Sequence, residues 1–283
     1  MLINKYMVYV DHQCHECGKK IKGKGKYCAR PEYCRVLALH KKRNPKITTI
    51  LNNKDDNFYY LLGLISADGH LHKNDYGIEI TLNNKDRHTL EQIFKKYGGS
   101  IRDKKDNTVI WCVSYKPFYD YLLNIGITPA KSNTLNVVKF FQQLNRDEKI
   151  AFIRGVLDGD GGVRVYEYQN KNKYSRKIYS YLSFDICSNS KIFIETIAEF
   201  LNSELNEQLL NVTYEPKARA YYIKSYARFK PIRILDLIYS TLANNICIHR
   251  KYNMYMTYKQ THGDHVNVVP SRLKTLNLPA KNK

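Results

Sequence analysis

The sequence lacks an apolar run long enough to cross a membrane, and it is poor in acidic residues. Its opening stretch, MLINKYMVYV, is too short and too polar at its flanks for a secretory signal or a transmembrane segment, so we expect no membrane association. Only 26 acidic residues accompany 46 basic ones, which gives a net charge of +20. This excess exceeds what solubility needs and indicates a nucleic-acid partner. Composition does not distinguish DNA from RNA as the partner, because a basic chain fits ribosomal and RNA-binding proteins equally well.

A nine-residue pattern occurs twice in the chain, as LLGLISADG at 61–69 and as IRGVLDGDG at 153–161. Each copy is an apolar run with glycine at its third position, and it ends in an acid followed by glycine. Apolar residues recur at helical spacing through both copies. The pattern therefore predicts two helices that deliver Asp68 and Asp160 from their ends.

Glycines within the motifs predict how these helices pack. Gly63 and Gly155 lie in mid-helix, where glycine costs about 1 kcal/mol relative to alanine. We therefore expect the two backbones to approach each other closely there. Gly69 and Gly161 suit a left-handed exit from a helix C-terminus. The residues expected to cap the helix N-termini are Asp56 or Asn57 in the first helix and Asp147 in the second.

Such packing would bring Asp68 and Asp160 together at one end of the helix pair. Two negative charges in the negative field of helix C-termini are unfavourable unless a cation lies between them. Divalent metal ions meet this need. The alternative is that each motif is an ordinary core helix ending in a solvated Asp-Gly turn. That alternative suits a single copy better than two copies in equivalent positions.

The repetition extends beyond the motifs and predicts an α+β fold of two pseudo-symmetric αββαββα repeats. Residues 80–85 align with residues 186–191, and Lys131 aligns with Lys251. The second repeat has the longer loops. The expected segments are a zinc-finger-like module at 1–43, a linker at 44–56, repeats at 57–138 and 139–258, and a basic tail at 259–283. Pro45 is expected to interrupt any helix that would continue from the module into the linker.

The doubled motif in its repeated context resembles the single-chain LAGLIDADG homing endonucleases, over roughly residues 57–258. In that family the motif helices pack at a pseudo-twofold axis, and the strands form a saddle over DNA. The eighth motif residue is the metal-binding acid, which corresponds to Asp68 and Asp160. The sixth is often an acid that caps or packs rather than catalyses. It is Asp158 in the second copy, whereas the first copy departs from the pattern with Ser66.

The resemblance implies an endonuclease that makes a double-strand break in a long DNA target by Mg²⁺-dependent hydrolysis, with two or three ions at the active site. Backbone carbonyls near the acids, such as the one at Ala67, are further ligands without an assigned role. Lysines would stabilise charge in the transition state, or else anchor phosphates or lie solvated. The candidates are Lys131 and Lys251, then Lys85 and Lys191, with Asn83 and Asn189 positioning water.

Strand alternation predicts a DNA-reading face. If the apolar residues of each repeat's central strand point into the core, the intervening polar residues point outward, where a major groove admits a β-ribbon. A solvated sheet face is the alternative. The 24 tyrosines add amphipathic contact surface, but tyrosine is also an ordinary strand residue. The outward residues expected to contact DNA are Glu79, Thr81, Asn83, Tyr181, Ser183 and Asp185.

The N-terminal region carries a separate cysteine pattern. Cys14 and Cys17 form a CxxC knuckle, and Cys28 and Cys34 follow. Four thiolates at this spacing suit a tetrahedral structural Zn²⁺. A disulfide is the alternative, but without a signal peptide a reducing interior favours metal. Residues that could replace Cys34 as the fourth ligand are His12, His15 and His40. The remaining cysteines, expected to be buried thiols, are Cys112, Cys187 and Cys247.

Two other functions remain open on the same fold: an intron RNA maturase and a non-cleaving DNA-binding regulator. Retention of both acids favours cleavage. Inteins also carry this endonuclease, but the chain has neither an N-terminal catalytic cysteine nor a terminal His-Asn pair. We therefore expect a free-standing or intron-encoded monomer that acts on double-stranded DNA. Its expected location is the cytoplasm or nucleoid of a bacterial or phage-infected cell, with an organelle as the alternative.

Overall fold

The computed structural model describes residues 11–14, 19–22, 45–73, 75–130, 135–169 and 178–262. The helices in these ranges are α1 (Pro45–Thr48), α2 (Asp56–Asp68), α3 (Arg87–Tyr97), α4 (Lys116–Asn124), α5 (Val138–Gln143), α6 (Arg146–Asp160), α7 (Lys191–Leu205), α8 (Lys230–Ile238) and α9 (His249–His262). The strands are β1 (Asp11–Gln13), β2 (Lys20–Lys22), β3 (Gly69–Leu71), β4 (Gly77–Asn83), β5 (Ser100–Asp103), β6 (Thr108–Ser114), β7 (Gly161–Gln169), β8 (Ile178–Ser188), β9 (Val212–Glu215) and β10 (Ala220–Ala227).

The fold is built on two four-stranded antiparallel sheets. Their strand orders, β3-β4-β6-β5 and β7-β8-β10-β9, are the same when each repeat is counted from its own first strand. The helices α2, α3 and α4 take the same places in the first repeat as α6, α7 and α8 in the second. The predicted α+β fold with two αββαββα repeats is confirmed. Boundaries differ in detail, because the predicted tail begins inside α9 and the predicted repeat junction falls inside α5.

The motif helices α2 and α6 lie at the centre of one core that both repeats share. Residues 57–67 of α2 and 150–158 of α6 are all buried, because each helix packs against its partner and against its own sheet. This explains why both sequences are apolar on nearly every side instead of along one stripe. The inner face of each sheet adds alternating apolar residues to this core, and the outer helices add the rest.

The predicted N-caps of the motif helices are wrong. Asp55 caps α2, and its Oδ1 accepts a hydrogen bond from the Phe58 N–H (3.1 Å). Asn145 caps α6 in a capping box, in which its side chain and that of Glu148 each accept from the other residue's backbone N–H (3.0 and 2.9 Å). Both helices therefore start one or two residues earlier than predicted. Asp56, now inside the first turn, is free to pair with a side chain of α6.

The predicted left-handed exits are also wrong, because each helix runs directly into a strand. Gly69 has φ −72° and Gly161 has φ −111°, both extended. Glycine is required there for another reason. A Cβ atom at Gly69 would lie 2.5 Å from the Ile65 carbonyl oxygen, and one at Gly161 would lie 2.6 Å from that of Leu157. The turn from helix axis to sheet leaves no room for a side chain.

The segment predicted as a linker packs against the first repeat. Pro45 begins α1, as suits proline at a helix start. Ile47 and Ile50 are buried in the shared core. Lys46 donates to the carbonyl oxygen of Lys95 at the end of α3 (2.7 Å). No helix in the described ranges combines the length and apolarity that crossing a membrane requires.

Within the predicted zinc module, the described residues form a small antiparallel hairpin of β1 and β2. Cys14 is buried just after β1, and its N–H donates to the Lys19 carbonyl oxygen across the hairpin (2.8 Å). The other predicted ligands, Cys17, Cys28 and Cys34, lie outside the described residues, as do His15, His40 and the side chain of His12.

Candidate functional site

The position of the candidate acids depends on close packing between α2 and α6. A Cβ atom at Gly63 would lie 2.0 Å from the Phe152 carbonyl oxygen, and one at Gly155 would lie 2.1 Å from that of Tyr60. No side chain larger than hydrogen fits at either point. The close backbone approach predicted from these glycines is confirmed, and it fixes how the helices are placed along each other.

One turn further along, a second pair of small residues, Ala67 and Gly159, keeps the helix ends together. A Cβ atom at Gly159 would lie 2.3 Å from that of Ala67 and 3.3 Å from Oδ2 of Asp68. Asp160 follows Gly159 directly, so the two carboxylates leave adjacent helix ends on either side of this contact. Both ends carry the negative pole of a helix dipole, which favours a cation beside the acids.

Each acid lines its own cavity. The cavity beside Asp68 has a volume of about 330 Å³, and that beside Asp160 about 410 Å³. Gly159, Gly161 and Arg164 belong to both walls, so the cavities adjoin. Other residues around Asp68 include Thr81, Leu82, Asn83, Asp86, Asp158, Arg250 and Lys251. The others around Asp160 are Asp185, Cys187, Tyr222, Lys224 and Tyr226.

The sixth motif residues pack inside the protein. Asp158 is buried and accepts hydrogen bonds from the Tyr60 hydroxyl (3.0 Å) and the N–H of Ile248, the residue just before α9 (2.6 Å). Burial raises the pKa of Asp158, although the charge of a neighbouring lysine and these hydrogen bonds oppose the rise. Ser66 is also buried and donates to the Leu62 carbonyl oxygen (2.8 Å). Asp158 thus fastens α9 to the motif helices, whereas Ser66 bonds only within α2.

Lys251 reaches from α9 to the end of α6, and its side chain is buried. The ammonium donates to the carbonyl oxygens of Leu157 (2.7 Å), Asp158 (2.7 Å) and Gly161 (2.8 Å). Burial lowers the pKa of Lys251, and the negative charge of Asp158 opposes this. Three donated bonds use the full capacity of an ammonium group. The structure therefore places Lys251 behind Asp160 as a cap on the helix terminus.

The other candidate lysines lie elsewhere. Lys85 and Lys191 are exposed just beyond the central strands of the two sheets, and Lys191 lies 3.2 Å from Glu195. Neither is among the described residues that line the two cavities. Lys131 lies outside the described residues. Asn83 does line the Asp68 cavity, and its side chain accepts from the Lys85 N–H (3.0 Å).

Two arginines for which the sequence predicts no role line these cavities. The side chain of Arg164 folds back over Gly162 and donates to Oδ1 of Asp185. A Cβ atom at Gly162 would clash with the guanidinium in this position. Arg250 donates to Oδ2 of Asp86 (2.9 Å). Alternation along β7 is the signal that could have identified Arg164, since it lies on the same sheet face as the predicted DNA-contacting residues. Nothing local distinguishes Arg250.

Most predicted DNA-contacting residues are accessible on the outer faces of the sheets. Glu79 and Thr81 are half-buried and Asn83 is exposed in the first sheet, while Tyr181 is half-buried in the second. Arg102, on the neighbouring outer row, donates to Glu79 Oε1 (3.2 Å). The outward orientation predicted for these residues is confirmed by the strand register.

Ser183 and Asp185 also face outward, but they are covered. Ser183 is 0% exposed and lies between Arg164 and Tyr226, its partners on the two adjacent strands. Asp185 is 9% exposed beside Lys224 and is bonded to Arg164. Longer neighbours thus cover both short side chains in this structure, and contact of Ser183 and Asp185 with DNA stays a prediction. Arg164, Lys224 and Tyr226 form the accessible surface there.

The cysteines of the two repeats differ in burial. Cys247 is buried as predicted, and burial raises its pKa to about 12. Cys112 and Cys187 are only half-buried on the outer sheet faces. The Cys187 thiol donates to the carbonyl oxygen of Asp160 (3.2 Å), so it supports the backbone that carries this acid.

The two motif helices pack as a pair, end in the two acids and continue into antiparallel sheets. This is the fold of the LAGLIDADG homing endonucleases. The chain is similar to the LAGLIDADG homing endonuclease I-LtrWI, solved bound to its target DNA, with a TM-score of 0.52 and 16% identity, covering 76% of this chain and 94% of that chain. For the LAGLIDADG meganuclease I-CpaMI, solved bound to uncleaved DNA, the TM-score is 0.52 and the identity 14%, covering 74% and 93%. Identities this low establish the fold alone.

In sequence the chain is similar to an uncharacterised protein of Methanocaldococcus jannaschii. The two are 27% identical over 162 residues, which cover 53% of this chain and 54% of that protein. The similarity thus spans about half the length of the relative. No protein-family model matches the sequence.

Proposed function

We propose that this protein is a site-specific endonuclease that binds a long DNA duplex and cleaves both strands. The proposal rests mainly on one observation: two equivalent helices place Asp68 and Asp160 on either side of a close contact between the helix ends. Each acid would serve one strand of the duplex. The outer faces of the two sheets would contact the DNA on either side, and the net charge of +20 would supply attraction to phosphates.

The donors at the helix ends suit Mg²⁺. This ion is usually bound through one or two carboxylates together with substrate phosphates. A site completed by DNA therefore needs no third acidic side chain. Among the described residues no three His, Cys, Asp or Glu side chains are grouped to hold a metal, so bound DNA would have to complete each ion's ligands. Asp68 and Asp160 would hold the ions, which when bound activate water and stabilise the leaving oxygen of a phosphodiester.

Other side chains at the site would position the acids or meet phosphates. Lys251 would hold the end of α6, and hence Asp160, in place through its three carbonyl contacts. Arg164 and Arg250 supply positive charge to the cavity walls, where a backbone phosphate could exchange for their present carboxylate partners.

Selection from a randomised duplex library tests the proposal, with the protein incubated in Mg²⁺ and in parallel in Ca²⁺. We expect one long site to be cut on both strands in Mg²⁺ only. Asp68→Asn and Asp160→Asn should each abolish double-strand cleavage while binding persists, because the sheets and basic groups are unchanged. Glu199→Gln is the matched control, since it neutralises an exposed carboxylate on α7 and should cut as the unmodified protein does.

Wild-type cleavage of both strands by either Asn variant would show that the altered acid has been misassigned. A site that is bound but never cut would indicate a regulator. Preference for structured intron RNA over every duplex would indicate a maturase.

For the N-terminal segment we propose a structural Zn²⁺ site formed by Cys14, Cys17, Cys28 and Cys34. The β1–β2 hairpin supports this, because the CxxC knuckle spans its connection and Cys14 is buried beside it. A segment this small gains stability when thiolates share a metal. Nearby lysines would then add DNA contacts beyond the two sheets.

Metal analysis of the purified protein checks this proposal. We expect one zinc per chain, lost in the double variant Cys14→Ser, Cys17→Ser and retained in Cys112→Ser, which alters a thiol of the first sheet. Absence of zinc from the unmodified protein prepared without chelators would contradict it.

A further inference from the structure

The outer faces of the two sheets differ in aromatic content. In the described part of the second sheet, six tyrosines occupy outward positions, as the strand register shows. At the equivalent outward positions of the first sheet, the described residues include no tyrosine. The six are Tyr166, Tyr168, Tyr179, Tyr181, Tyr222 and Tyr226.

These tyrosines form rows that lead away from Asp160. Tyr222 and Tyr226, on β10, line the cavity beside Asp160, and Tyr226 lies across Ser183 from Arg164. Tyr166 opposes Tyr181 in the next row, with stacked rings whose centroids lie 5.3 Å apart. Tyr168 opposes Tyr179 one row further out, and these two rings are 57% and 53% exposed. Arg164 and Lys224 thus lie near the acid together with two of the rings, and the described outward positions of β7 and β8 beyond them carry only tyrosines.

A neutral phenol ring suits a base edge better than a phosphate. Its hydroxyl can donate to a phosphate, but it carries no charge to replace a counterion, so it adds little to the salt-dependent part of phosphate binding. In the major groove, A·T pairs present the thymine methyl group, which is the apolar feature that distinguishes them from unmodified G·C pairs. Tyrosine offers a ring to that methyl and a hydroxyl to an adjacent base.

The first sheet presents a different chemistry. His70, Glu79 and Arg102 occupy its outward rows, with Arg102 and Glu79 in contact. Arginine donates two bonds to guanine, and a carboxylate accepts from cytosine. This face is suited to hydrogen-bonded readout of mixed sequence, in contrast to the apolar readout available on the second sheet.

The ribbons also differ in length. The strands β7 and β8 have 9 and 11 residues, against 3 and 7 in β3 and β4. At about 3.3 Å per residue, β7 extends about 30 Å from the helix end. The paired rings of Tyr166 and Tyr181 lie on the order of 16 Å along it, which corresponds to roughly five base pairs at about 3.4 Å each.

We propose that the half of the DNA target contacted by the second sheet contains a thymine-rich segment recognised by the tyrosine face. This inference rests on the proposed DNA-binding function and adds the base composition of the target. The segment begins roughly five base pairs from the cleavage centre and extends further outward than the contacts of the first sheet.

Binding selection in Ca²⁺ with the full-length protein tests the inference separately from cleavage. We expect a thymine-rich block in one half of the selected site. In that site, replacing one contacted thymine by uracil removes only a methyl group, and should weaken binding about fourfold. The same replacement in the other half should have little effect.

The double variant Tyr166→Ala, Tyr181→Ala should lose the response to uracil, and repeating the selection with it should relax preference in that half alone. Tyr166→Phe, Tyr181→Phe keeps the rings and should retain the response. Tyr214→Ala is the matched control, because it removes an exposed tyrosine from the opposite face of the same sheet.

A selected site rich in G·C pairs in both halves, or no response to uracil at any position, would overturn the inference. So would tighter binding to single-stranded DNA than to the selected duplex, which would mean that the rings stack on unpaired bases. A thymine-rich site that is bound but not cut would support this inference while contradicting the proposed cleavage. Failure to select any duplex would overturn both.

Discussion

Gly155 illustrates how one residue positions two carboxylates. A Cβ atom there would lie 2.1 Å from the Tyr60 carbonyl oxygen and 2.6 Å from the Leu64 backbone nitrogen. Neither backbone atom can move without displacing α2. We predict that Gly155→Ala lowers the free energy of unfolding by about 3 kcal/mol, even though alanine favours the helix by about 1 kcal/mol. Urea denaturation measures this change.

Gly77→Ala is the control for this substitution. A Cβ atom at Gly77 would meet side-chain atoms of Asp75 (2.8 Å) and His72 (2.9 Å), which can rotate away. The loss should therefore be smaller. Equal losses at both positions would show that the helix contact is not the source of the effect. The close contact at Gly155 could be predicted from the sequence. A glycine in mid-helix lowers helix stability, and close packing of two backbones explains its presence.

At the scale of helices and strands, an ion pair between Arg154 and Asp56 connects α6 with α2. The guanidinium of Arg154 is fully buried, donates to Oδ2 of Asp56, and donates to the Thr241 hydroxyl (3.0 Å). Arg154→Leu introduces the residue that the first motif carries at the equivalent position, Leu62. We predict that it destabilises the protein by about 3 kcal/mol, because it leaves the carboxylate of Asp56 without its charged partner.

A double-mutant cycle by urea denaturation checks the coupling. Asp56→Leu alone leaves Arg154 buried and uncompensated, and it should cost as much or more. The double variant should cost less than the sum of the two single changes. Additive losses would show that the pair contributes no interaction of its own.

A pair of histidines joins α3 of the first repeat to α9 of the second. The rings of His88 and His249 lie 4.4 Å apart between centroids. Burial, and then the charge of His88, lower the pKa of His249 from its ordinary value of 6.5. As pH falls below that value, the unfolded chain takes up a proton before the folded protein does. The folded protein therefore loses stability through the window below pH 6.5.

Melting temperatures at about pH 7.5 and about pH 5.5 measure this effect. We predict a smaller decrease on acidification for His249→Gln than for the unmodified protein. The difference will be modest, since solvent screens a largely exposed ring. Identical decreases would show that other groups control acid stability.

Much of the element-level fold could be predicted, because two aligned copies of one pattern constrain each other. The helix pair, the repeated order of strands and the placement of Asp68 and Asp160 at adjacent helix ends all follow from that alignment. Covering of Asp185 could not be predicted, because strand alternation predicts the sheet face of Arg164 but not that its side chain folds over Gly162 onto Asp185. The use of Lys251 as a helix cap depends on a chain segment about 90 residues distant in sequence.

At the scale of the whole molecule, the excess of positive charge predicts strongly salt-dependent binding. If the protein neutralises roughly six to ten phosphates, its affinity should fall by roughly a thousandfold or more between about 50 and 200 mM salt. Titration of a labelled duplex over this range measures the slope. Asp160→Asn should show the same slope, because it adds no phosphate contact. A slope near zero would contradict the assignment of the basic surface to nucleic acid.

The absence of any intervening residue between each motif helix and its first strand has a mechanical consequence. Asp68 is followed at once by β3 and Asp160 by β7, at glycines that leave no space for adjustment. The distance from each acid to its sheet is thus set by covalent geometry and close packing, with no hinge between them. In the proposed complex, the protein would act as a stiff template. The work of bringing two phosphates to the two acids would fall on the duplex, so sequences that bend easily at the centre of the target would be favoured even where no side chain touches a base.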